Sequence, residues 1–143
     1  MTALAARFVH VLAAVTWIGG MLFIALVLVP VLRGLPDAAR ARLVQEAGRR
    51  FRAISWIALA LLLGSGVVNL AFRPYLLGLG RFQLKLGLVG AALALGVVHD
   101  FVLGPRAGAP GAGPEARRRA AWVARVNLLL VLVVVALGLA LRG

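Results

Sequence analysis

The chain has 143 residues and no cysteine, which excludes disulfides, thiolate metal sites and a cysteine nucleophile. Acidic groups are nearly as scarce: four Asp and Glu stand against sixteen Lys and Arg, a formal net charge of +12. Histidine and methionine number two each. A paired-carboxylate enzyme or a carboxylate-rich metal cage is hard to assemble from so few groups. What the chain has in quantity is hydrocarbon. Apolar residues make up 63% of it and its mean hydropathy is +1.02, where soluble domains hold about 45–50% apolar residues. The basic excess falls in the gaps between long apolar runs, which is the pattern of a membrane protein and not of a nucleic-acid binder.

A bilayer core about 30 Å thick takes about 20 helical residues. Four runs meet that length, giving an all-α, integral-membrane, up-down four-helix bundle. It forms a single transmembrane domain, 1–143, with helices at about 5–32, 37–72, 82–104 and 115–142. The first run is too long for the apolar region of a signal peptide, and no cleavage site follows it. Pro36-Asp37 reads as a helix start, so the second helix begins early and emerges from the membrane. Residues 104–119, rich in Gly, Ala and Pro, read as a flexible loop, with Pro114 in the first turn of the fourth helix. No internal repeat is apparent from the residues themselves.

The segments 33–52 and 104–119 carry ten Arg, and the opposite side carries Arg7, Arg73, Arg81 and Arg142. The positive-inside rule then puts both termini outside and the two Arg-rich loops in the cytoplasm of a bacterial-type inner membrane. Those loops are expected to contact anionic lipids. Trp56, Trp122 and Tyr75 fit interfacial belts, whereas Trp17 lies well inside the first helix.

Ionisable groups inside a membrane are costly and mark functional candidates. By depth, His10, Asn69 and Lys85 form an outer polar layer. Asn69 also reads as an interhelical hydrogen-bond partner, and Lys85 as a side chain that snorkels. His99, Asp100 and Arg125 form an inner polar group, in which Asp100 and Arg125 are placed to pair. His10 and His99 lie near opposite leaflets, so one chain cannot bring both to one metal ion. Trp17 and Met21 share a helical face with His10. Met21 is thus a candidate soft-metal ligand beside it, and Trp17 a candidate cofactor wall.

The stretch from His10 through Thr16-Trp17-Ile-Gly19-Gly20 to Pro30 resembles the opening of the copper resistance protein D (CopD) domain. So do Leu63-Gly64-Ser65-Gly66-Val67-Val68-Asn69 and Gly80-Arg81-Phe82-Gln83-Leu84-Lys85-Leu86. The resemblance covers roughly residues 5–105. The His-x5-Thr-Trp spacing and the third-helix Lys also resemble HemJ, a four-helix membrane family linked to protoporphyrinogen oxidation, whose suspected functional residues map onto His10 and Lys85. The CopD resemblance implies copper handling or transport, with His10 and Met21 as ligands, Asn69 as a carbonyl donor and Lys85 tuning charge. The HemJ resemblance implies a haem b or porphyrin redox protein, with His10 as axial ligand, Trp17 against the ring and Lys85 on a propionate. A cofactor-free structural subunit is the third reading. The oligomeric state is left open by the sequence.

Overall fold

The computed structural model describes residues 2–109 and 111–140. Every regular element among them is helical. Four helices are long and apolar enough to cross a membrane: α1 (Ala3–Leu32), α2 (Asp37–Ala71), α3 (Gly80–Gly108) and α4 (Pro114–Ala140). The expected end of α4 at 142 lies outside the described residues. The chain divides into two compact units, Met1–Leu76 and Leu77–Gly143. Each is a helical hairpin, α1 packed on α2 and α3 packed on α4. Each hairpin has a closed end at its interhelical loop and an open end where its first helix starts and its second helix stops.

The local chemistry explains the boundaries. The Thr2 hydroxyl accepts the Ala5 N–H at 3.3 Å and caps α1. Pro36 precedes α2, and Asp37 supplies the acidic charge that favours a helix start. With 35 residues, α2 is far longer than a bilayer needs. The surplus is its Arg-rich first half, where Asp37 pairs with Arg40 and Glu46 with Arg49 and Arg50 at 2.6 and 3.0 Å. The second hairpin turns through Gly111, whose φ of +78° is a conformation that only glycine adopts cheaply. Pro114 then opens α4, where a missing N–H costs nothing.

Helix α3 does not stop near 104 as its composition suggests, but runs through Pro105 to Gly108. A proline inside a helix lacks an N–H and crowds the carbonyl four residues back. Here the five residues before Gly104 form a π turn, His99–Leu103, in which the Gly104 N–H bonds the His99 carbonyl five residues back. The widened turn makes room for the ring. The same device occurs in α1, where the π turn Ile24–Leu28 precedes Pro30 and the Val29 N–H bonds the Ile24 carbonyl.

The two devices are in register. Ile24 and His99 open the π turns, Pro30 and Pro105 follow them, and His10 and Lys85 precede them, each pair separated by 75 positions. The second helices repeat with a spacing of 72. Buried Ser55 matches buried Asn127, buried Leu59 matches buried Val131, and Gly66 matches Gly138. The chain is therefore a structural repeat of one hairpin. Few identities accompany the repeat, because most lipid-facing positions accept any apolar side chain.

Candidate functional site

In the first hairpin the polar groups gather towards the open end. The half-buried His10 ring lies over Gly66 of α2, where an added Cβ would stand 3.4 Å from its Cε1. Its Nδ1 is 3.1 Å from the Leu62 carbonyl and 3.1 Å from the Ser65 hydroxyl. A carbonyl oxygen only accepts, so Nδ1 carries a proton, and in the neutral ring the lone pair is on Nε2. Ser65 is buried and donates back along its own helix, to Leu61 at 2.6 Å or Leu62 at 3.1 Å. One turn nearer the open end, the Asn69 amide donates to the Ala6 carbonyl at 3.3 Å. His10 and Asn69 thus both tie α1 to α2, at neighbouring levels. Ser65, which fixes the ring through Nδ1, was not picked out as a site residue from sequence. Its signal was there in its place four residues before Asn69, on the same helical face.

One sequence expectation is modified by this geometry. Met21 stands on the same uninterrupted stretch of α1 as His10, eleven residues on, which is about 16 Å of helical rise. With metal bonds near 2–2.3 Å, His10 and Met21 cannot hold one ion, so the pairing of these two as ligands is withdrawn. Trp17 is 8% exposed, a packed side chain of the first hairpin. Below it, Gly20 receives the Phe51 ring so closely that an added Cβ would lie 2.1 Å from Phe51 Cε2.

In the second hairpin, Lys85 is the sole lysine of the chain. Its ammonium lies over Gly138, 3.3 Å from where a Cβ would be. The side chain therefore runs toward α4, near the open end of its own hairpin. Towards the closed end, His99 Nδ1 and Asp100 Oδ1 are 2.9 Å apart on the π turn, with side chains 33% and 20% exposed. Asp100 was expected to meet Arg125; the structure makes its sequence neighbour His99 a partner, and Arg125 is exposed on α4. Asn127 is buried, with its Nδ2 3.8 Å from where a Cβ on Gly96 would stand. Among the described residues, Asn127 Oδ1, Ser55 Oγ and Arg52 Nε are buried without a hydrogen-bond partner, and no cluster of three or more His, Cys, Asp or Glu is suited to a metal.

The copper resistance protein D family matches residues 45–141. The chain belongs to the CopD family. The match covers most of α2 and all of the second hairpin, and so includes Asn69, Lys85, His99, Asp100 and Asn127 but not His10. The sequence resemblance over residues 5–105 overlaps this match from residue 45 onward. A relative in Aquifex aeolicus (strain VF5), described as an uncharacterized protein, is 34% identical over 141 residues, covering 94% of this chain and 92% of its own length. No solved structure matches the chain. Family and helices together make this a multi-pass membrane protein of the copper-resistance class.

Proposed function

We propose that this CopD-family protein handles copper ions within the bilayer, with His10 Nε2 as the ligand in the first hairpin. Membership of the copper-resistance family carries the reading. The His10 tautomer supports it: Nδ1 held by the Leu62 carbonyl orients the ring and directs its lone pair to Nε2, as the outer partners of metal-bound histidines do. Asn69 steadies the helix pair one turn away. With Met21 out of reach, His10 is a single strong ligand, which favours transient passage of an ion over storage. The Arg-rich segments orient the chain with those loops in the cytoplasm, in contact with anionic lipids.

The test is copper analysis of the full-length, tag-free protein purified in detergent, together with a visible spectrum before and after dithionite. Loss of bound copper in His10→Ala, with the fold retained, is the expected result. Unchanged copper in that variant overturns the ligand assignment. A Soret band that sharpens on reduction and vanishes in His10→Ala would replace copper with haem b at the same nitrogen.

A further inference from the structure

The repeat supplies an internal control. Both hairpins build a π turn before a proline, so whatever that turn needs must be present in both. The first hairpin builds it with Ile24 and Ala25 as its opening residues; the second builds it with His99 and Asp100. An imidazole and a carboxylate are therefore not required to form the turn. They are nonetheless placed in a membrane-spanning helix, where ionisable groups are costly. The other carboxylates of the chain, Asp37, Glu46 and Glu115, are paired with arginines three or four residues along their own helices. Asp100 has a histidine, its sequence neighbour, as a partner.

Two features give the pair a chemical direction. With Asp100 Oδ1 accepting from Nδ1 of His99, a neutral imidazole keeps its lone pair on Nε2. That carboxylate–histidine arrangement fixes the tautomer and the ring orientation, as in metal sites. Second, α4 packs on the π turn and brings Asn127, 7% exposed, to Gly96. Gly96 is one turn before His99 on α3. The Asn127 Oδ1 is a buried acceptor without a partner, and such a group costs stability unless something satisfies it.

We infer that the closed end of the second hairpin is a second cation site, with His99 Nε2 as nitrogen ligand, Asn127 Oδ1 as neutral oxygen donor and Asp100 as the balancing charge. An imidazole with oxygen donors selects a borderline divalent transition metal, and Cu2+ binds such sets most tightly of the first-row ions. The inference is independent of the His10 assignment, since it draws on a different hairpin and different residues.

The experiment is a Cu2+ titration of the tag-free full-length protein, followed by electron paramagnetic resonance, with variants made in both wild-type and His10→Ala backgrounds. His99→Ala is expected to remove about one Cu2+ per chain, together with its nitrogen hyperfine signal, in both backgrounds. Asp100→Asn is expected to weaken that ion's binding about tenfold, and so is Asn127→Leu. Asn127→Leu also separates binding from structure. It deletes an unsatisfied buried oxygen at nearly constant volume, so a purely structural Asn127 predicts an unchanged or higher Tm with unchanged copper. Copper stoichiometry and spectrum indifferent to His99→Ala would overturn the proposal, as would copper binding unmoved by both Asp100→Asn and Asn127→Leu. If His10→Ala loses no copper while His99→Ala does, the second site stands and the His10 reading falls.

Discussion

The two hairpins share a backbone plan and differ in where they place their polar chemistry. The first concentrates it near the open end, where His10, Ser65 and Asn69 form specific bonds across the helix pair. Towards its closed end the Phe51 ring is seated on Gly20, and the buried Ser55 hydroxyl makes no hydrogen bond. The second hairpin holds the Lys85 ammonium over Gly138 at the open end and has His99, Asp100 and Asn127 near the closed end. Lys85 matches His10 in position but not in kind, since the positions matching Leu62 and Ser65 are Val134 and Leu137. A shared scaffold has thus been given opposite polarity along its length.

The largest effect that should separate the hairpins is steric. Gly20→Ala drives a methyl into the Phe51 ring, and overpacking of this kind costs about 1–3 kcal/mol. The loss should appear as a lower Tm in detergent and be recovered when Phe51→Leu is added. The second hairpin has Leu95 at the matching position and needs no such concession. If Gly20→Ala is neutral, the close contact is not a determinant of the first hairpin.

The open-end glycines come next. Gly66→Leu meets an imidazole ring with two Nδ1 contacts, whereas Gly138→Leu meets the far end of a long lysine side chain. The first should cost about 1–3 kcal/mol and the second less than about 1 kcal/mol. Equal losses in chemical unfolding would erase the distinction between a ring and a chain end over the matching glycines.

Smaller again are the single polar contacts. Ser65→Ala and Asn69→Leu each remove an interhelical or supporting hydrogen bond, worth about 0.6 kcal/mol in membrane interiors. Ser65→Ala should in addition weaken copper at His10, because it loosens the ring; Asn69→Leu should not. A copper titration of both variants distinguishes holding the ligand from holding the helices.

The smallest effect lies outside the membrane. The hydrogen bond from Arg50, aided by Arg49, holds the Glu46 carboxyl below its ordinary value of 4.5. A lowered folded-state value means the pairs stabilise above pH 4.5 and lose that contribution as the pH falls through the lowered value. The pairs are surface-exposed, so Glu46→Gln should change Tm only slightly at neutral pH, and less at high salt. A large change would mean that the Arg-rich end of α2 is not simply solvated.

Much of the architecture was legible in residue order. Four long apolar runs declare four helices, Pro36-Asp37 marks the start of α2, and Pro114 marks the start of α4. The extension of α3 beyond Pro105 was not legible, because a π turn has no compositional signature and proline next to glycine normally signals a loop. The repeat was hidden for a related reason: its register is kept by prolines, glycines and one ionisable group per hairpin, against a background of interchangeable Leu, Val and Ala. The spacing of Pro30 to Pro105 and of His10 to Lys85 could have revealed it. At the polar groups, sequence could nominate His10 and Asn69 by depth, but the carbonyl of Leu62 is a backbone atom, and no side-chain pattern announces it.

The paired π turns and prolines also have a mechanical consequence. At each one the backbone ladder is interrupted at a residue without an N–H, and the remaining hydrogen bonds skip an extra residue. Such a section is the compliant part of an otherwise stiff rod. Both α1 and α3 therefore carry a joint near the closed end of their hairpins, and the segments beyond, Val29–Leu32 and Gly104–Gly108, are levers one turn or so long. In α3 the joint opens with His99 and Asp100. Bending there would move the imidazole relative to Asn127, so the stiffness of one short stretch of backbone would set the spacing between the two side chains.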